Sequence, residues 1–174
     1  MAPPTIAKGI QFPGKGQSRQ HGYLMIHAMA EYIYFEGRIV HAWELLEMLG
    51  RGVHFSITPA GQVVQHQDPR TTLWQAAGAN RDSCGVEMLI PGVYDITALY
   101  TKINSSEHYY TQSYYSGLID IVQYLDKEKS YLHSPEYNWD LHSAQSRGRK
   151  HDPGSSFSVD KWTTMLREYV EHGR

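Results

Sequence analysis

Thirteen residues near the C-terminus, His142-Ser-Ala-Gln-Ser-Arg-Gly-Arg-Lys-His-Asp-Pro-Gly154, constrain this chain more than any other stretch. His142 and Asp152 stand ten positions apart, and Lys150 sits two residues before the aspartate. A polar loop of this length, with glycines at 148 and 154, can leave a strand at the histidine and return the aspartate beside it. One imidazole nitrogen and one carboxylate oxygen can then meet on a single metal ion. A third ligand has to come from elsewhere in the chain.

The 174 residues, 41% of them hydrophobic, suffice for one well-buried core and fall short of two ordinary domains. With ten histidines counted neutral the formal charge is -2, so no global basic field recruits nucleic acid or an anionic membrane. A small or neutral substrate fits better. Cys84 is the sole cysteine, which excludes an intrachain disulfide and any need for an oxidising compartment. The N-terminus lacks an apolar segment of signal-peptide length, and no run reaches the roughly 18 apolar residues of a membrane span. The expectation is a protein made in the cytoplasm, without stable membrane insertion and acting as a monomer.

Residues 1–20, rich in Pro, Gly, Lys, Arg and Gln, read as an irregular N-terminal arm whose cations Lys8, Lys15 and Arg19 are solvated. Residues 21–174 then form the domain. Tyr23-Leu-Met-Ile-His27 reads as a buried strand that delivers His27 at its C-terminal edge. His41 to Leu49 fits a short helix stopped by Gly50, and Val53–Ile57 with Gln62–His66 around Thr58-Pro-Ala-Gly61 fits a hairpin. Cys84–Ile90 reads as another strand, ended by Pro91-Gly92. Helical spacing appears over Ser113–Leu125 and Val159–Val170. Strands alternating with helices, one pair antiparallel, predict an α/β domain with a mixed central sheet covered by helices.

Taken together, His27, the hairpin, Glu87 and the His142–Gly154 loop resemble the zinc-dependent N-acetylmuramoyl-L-alanine amidase family, which includes small phage endolysins, muropeptide-recycling amidases and peptidoglycan-recognition proteins. The strongest element is Gly148-Arg-Lys-His-Asp-Pro-Gly154 following His142, similar to the family's histidine and GRKxDPG. Asn80-Arg-Asp-Ser-Cys-Gly-Val-Glu87 is similar to its Asn-x-x-Ser-Ile-Gly-Ile-Glu strand. The resemblance implies one zinc per chain on His27, His142 and Asp152, a set that leaves a fourth position for water. It also implies Glu87 as general base, Lys150 as the cation that steadies the developing oxyanion, and peptidoglycan or a muropeptide as substrate. The implied reaction is hydrolysis of the amide between N-acetylmuramic acid and L-alanine.

Each residue also has a plainer reading. His21 and His41 are alternatives to His27, Asp152 before Pro153 suits a turn, and Lys150 belongs to a charge run with Arg147 and Arg149. Glu87 can be an outward carboxylate on a strand, and His54 reads as a hydrogen-bonded structural residue. Trp74, Asn80 and Arg149 are candidate substrate contacts, with core, turn and solvated-charge roles as their alternatives. Two departures stand out: Val53 where many members carry a tyrosine, and Trp74-Gln-Ala-Ala-Gly78 where many have Trp-His-Ala-Gly. The absence of an appended wall-binding module suits a phage-type endolysin. A cytoplasmic recycling amidase and a non-catalytic peptidoglycan-binding protein are the other readings.

Overall fold

The computed structural model describes residues 4–16, 22–105, 109–127 and 138–173, so Arg19 and His21 lie outside the described residues. In chain order come β1 (Ala7–Lys8), β2 (Tyr23–Phe35), β3 (Arg38–His41), α1 (Ala42–Met48), β4 (Phe55–Ile57) and β5 (Val63–Gln65). There follow β6 (Ser83–Tyr94), α2 (Ile96–Ile103), α3 (Gln112–Lys127), β7 (Trp139–Leu141), α4 (His142–Gln145) and α5 (Val159–His172). The strands form one mixed sheet in the order β1-β5-β4-β6-β2-β3, with β7 also paired to β2.

The long strands β2 and β6 run parallel down the middle of this sheet, with His27 directly opposite Glu87. Because side chains alternate across a strand, Leu24, Ile26, Ala28 and Ala30 face one way and Met25, His27 and Met29 the other. The first set joins Phe55, Ile57, Val86 and Met88 in the main core, which α3 and α5 complete with Tyr114, Leu118, Ile121, Val122, Trp162 and Leu166. The second set carries the polar chemistry.

Both long strands outrun their expected ends. β2 does not stop at His27, because Ala28 to Phe35 continues with small, branched and aromatic residues. It ends only where Glu36 and Gly37 take positive φ (48° and 78°) and turn the chain into antiparallel β3. His27 therefore lies within the strand, not at its C-terminal edge. β6 likewise passes through Pro91-Gly92. Ala30 faces Ile90 and Tyr32 faces Val93, so β6 spends one extra residue there. A proline without an N–H and a glycine at φ 116° suit that bulge.

On the edge of β2 opposite β6, β7 pairs only with Leu24–Ile26 and β3 only with Tyr32–Phe35. A gap in strand pairing thus opens beside His27, and the chain leaving β7 enters α4 at His142.

The N-terminal segment adds to the sheet rather than only leading into it. β1 pairs in parallel with β5, and Phe12 is fully buried against Val53 and Leu73. Behind it, His66 Nδ1 donates to the Ile10 carbonyl (2.9 Å) while its Nε2 meets Ser56 Oγ (2.9 Å), which also accepts from Trp43 Nε1 (3.0 Å). Phe12→Ala should lower unfolding free energy by about 3 kcal/mol, the usual cost of emptying a buried aromatic site. Denaturant unfolding checks this, and an unchanged midpoint would mean that residues 4–16 are peripheral.

Candidate metal centre and cleft

The gap on the β2 edge is filled by the loop that follows α4. Ser143 N donates to the Asp152 carbonyl (2.8 Å), and Lys150 N and Arg149 N both donate to the Ser146 carbonyl (3.0 Å each), which folds the segment back on itself. Gly148 (φ 75°) and Gly154 (φ 82°) occupy the left-handed region, and a Cβ at 154 would run into the Ile103 carbonyl. Asp152 is thereby returned beside His142, and its Oδ2 accepts a long bond from Ala28 N at the unpaired edge (3.4 Å).

Three buried side chains converge there: His27 (3% exposed), His142 (4%) and Asp152 (5%). His27 Nδ1 lies 3.0 Å from His142 Nδ1, and Asp152 Oδ2 lies 3.0 Å from His142 Nδ1 and 3.5 Å from His27 Nδ1. Three electron-pair donors thus face one point, more than one shared proton can satisfy. A divalent cation satisfies all of them, and two imidazoles with one carboxylate form a donor set suited to zinc with an open position. The trio is a possible His-His-Asp metal site.

Electrostatics support a set that exchanges protons for a cation. Burial opposes charge on His27, but its bond to Asp152 and the field of Glu87 outweigh that and lift its pKa. Burial, together with neighbouring His27, holds His142 below its ordinary value. Asp152 stays well below the carboxylate range despite burial, because both histidines bond to it. Burial pushes Glu87 up to about 8, against the opposing pull of His27 and Lys150.

A cleft opens over the trio and divides into two arms. One is lined mainly by apolar side chains, among them Met29, Leu45, Leu49, Val53, Ile96 and Leu99, together with Glu87 and the cations Arg51 and Lys150 that it shares with the other arm. The other is lined by Arg51, Trp74, Gln75, Asn80, Arg149 and Lys150, among which no carboxylate occurs. Glu87 and Asp152 are the carboxylates among the described residues of the first arm, and Val53 brings no hydroxyl there. Glu87 is buried yet faces the cleft, so it is not an outward carboxylate on the sheet.

The remaining candidates divide clearly. Trp74 is 54% exposed and so is not a core residue, and Lys15 Nζ sits 4.7 Å from its ring centroid. Arg149 donates to Ser146 Oγ (2.9 Å) at the rim. Asn80 Oδ1 accepts from Gln75 N and Ala76 N (2.8 Å each), a turn-holding role beside its place in the cleft wall. His41 is away from the trio and caps α1 by accepting from Trp43 N (3.1 Å). Sequence reasoning missed Tyr100, which α2 brings into the cleft and whose pKa burial pushes up to about 12. It also missed the contact of Gln75 Oε1 with His27 Nε2 (3.1 Å).

His54 is a structural residue, as expected. Its Nδ1 accepts from Gly85 N (2.9 Å) and its Nε2 donates to the Thr71 carbonyl (2.6 Å), which only a neutral ring can do.

The family model described as N-acetylmuramoyl-L-alanine amidase matches residues 17–155. Among solved structures, the fold is similar to "Se-Met AmpD derivative" at TM-score 0.66 and 16% identity, covering 92% of this chain and 93% of that one. It is equally similar to the endolysin N-acetylmuramoyl-L-alanine amidase LysCS from Clostridium intestinale, at TM-score 0.66 and 17% identity, covering 95% and 97%. The Drosophila peptidoglycan recognition protein SA aligns at TM-score 0.60 and 15% identity, covering 97% and 91%. Among curated proteins, none matches the chain significantly in sequence.

Burial pushes the His54 pKa down to about 4, so the unfolded chain takes up a proton there below about pH 6.5 while the folded chain does not. Stability should therefore fall by roughly 3 kcal/mol from this group alone as pH drops from about 6.5 to 4. An NMR titration in which the His54 ring protonates near pH 6.5 would contradict it.

Proposed function

Because the chain belongs to the N-acetylmuramoyl-L-alanine amidase family and is an amidase of that class, we propose that it holds one zinc ion on His27, His142 and Asp152 and cleaves intact peptidoglycan as a small phage-type endolysin. The observation that carries the reading is the convergence of two Nδ1 atoms and one carboxylate oxygen at the floor of a cleft that also presents Glu87 and Lys150. When bound, zinc would polarise the scissile carbonyl and lower the pKa of the attacking water.

The chain's own residues do the rest. Glu87 faces the cleft beside the trio and, in its ionised form, accepts the proton of the attacking water. With Val53 at the tyrosine position of many family members, no hydroxyl from that position shares this task. Lys150 offsets the negative charge that develops on the carbonyl oxygen. The cation-lined arm with Arg51 and Arg149 suits the carboxylates of the stem peptide, and Trp74, with Asn80 beside it, offers a flat face to sugar or peptide.

The other reading is a cytoplasmic amidase acting on soluble muropeptides, which would use the same His27, His142 and Asp152 set with Glu87 and Lys150. Release of peptide from intact sacculi, measured beside cleavage of a soluble muropeptide, separates the two. The endolysin reading predicts the faster rate on sacculi, and cleavage of soluble fragments alone would overturn it.

Two substitutions test the assigned roles. Lys150→Ala should lower kcat by about 100-fold, the usual worth of one oxyanion donor, while leaving bound zinc unchanged. Glu87→Gln preserves size but cannot take the proton, so the folded, zinc-loaded variant should lose about 100- to 10,000-fold. Near-normal turnover in either variant would remove that residue from the mechanism.

A further inference from the structure

We propose that Gln75 is a positioning residue for the metal site: its carboxamide holds the proton of His27 on Nε2 and so aims the Nδ1 lone pair at the point shared with His142 and Asp152. This rests on the reading of that trio as a metal site.

The hydrogen bonds leave one assignment for the amide. Gln75 Nε2 lies 3.0 Å from the Ser83 carbonyl oxygen, which can only accept, so the NH2 end faces Ser83 and Oε1 faces His27. Ser83 Oγ, which donates to the Ala79 carbonyl (2.7 Å), accepts the second Gln75 proton at 3.0 Å. Oε1 in turn can only accept, so His27 Nε2, 3.1 Å away, carries the proton. Whether the metal-free ring is neutral or charged, that proton stays, and the one that leaves on metal binding is at Nδ1. In metal sites the hydrogen bond made by one ring nitrogen sets how the other binds.

The surroundings are built around this amide. Asn80 Oδ1 pins the Gln75 and Ala76 main chain, and a Cβ at Gly85 would overlap Gln75 Oε1, so glycine there makes room for the carboxamide. Among the described residues His142 has no equivalent support, its Nε2 being buried without a hydrogen-bond partner. Among the described residues, Gln75 is therefore the side chain beyond the trio that orients an imidazole of this pair.

The test uses the full chain. In the zinc-loaded protein, nitrogen-15 NMR should show His27 protonated at Nε2 and metallated at Nδ1, with a slowly exchanging Nε2 proton. Gln75→Leu should abolish the slow exchange and weaken zinc binding, titrated against a chromophoric chelator, by about 10- to 100-fold. Gly85→Ala, which keeps the glutamine but displaces its amide, should shift both readouts the same way and serves if Gln75→Leu fails to fold. A wild-type ring metallated through Nε2 overturns the proposal without any variant. So does unchanged zinc affinity with an unchanged Nε2 proton in a folded Gln75→Leu protein. If the wild type takes up no zinc, the reading of the trio fails with it, whereas zinc uptake unaffected by Gln75→Leu sinks this inference alone.

Discussion

The in-register parallel ladder between β2 and β6 is the constraint on which the rest of the site depends. It sets His27 opposite Glu87 on one face of the sheet while Ile26, Ala28, Val86 and Met88 are buried on the other. A slip of one residue would send His27 into the core and an alanine or isoleucine to the cleft. Burial on the core face makes that slip costly, so the packing of α3 and α5 against the sheet is also what holds the chemistry in register.

The unpaired stretch of the β2 edge matters as much. Because β7 ends opposite Ile26, the loop carrying Asp152 can approach His27 from the side, and Ala28 N finds an acceptor in the carboxylate instead of a strand. Buried main-chain donors need a partner, and here the partner is also a candidate ligand. The same edge position leaves room above for a cleft that is largely apolar at one end and lined by Arg51, Arg149 and Lys150 at the other. A substrate with a sugar at one end of its scissile bond and a carboxylate-bearing peptide at the other matches that asymmetry.

What could be read from sequence follows from how local each feature is. The His142–Gly154 loop is legible because its ligands, lysine and glycines lie within one segment whose folding back is a local matter. The hairpin around Thr58–Gly61 and the spacing of α3 are legible for the same reason. The length of β2 was not, since a polar histidine reads as a strand end until its β6 partner is known. α2, and Tyr100 with it, was hidden behind Pro91-Gly92, which act as a bulge within β6 and not as its end. Gln75 is the least legible of all, because its role depends on Ser83, Gly85 and His27 meeting in space.

The central claim is that the two Nδ1 atoms and Asp152 Oδ2 bind one metal ion. Anomalous diffraction at the zinc edge, from crystals of the full chain grown with zinc, addresses it directly. The account predicts a single strong peak between His27 Nδ1, His142 Nδ1 and Asp152 Oδ2. A peak at another histidine, coordination through the Nε2 atoms, or no peak at this position would contradict it.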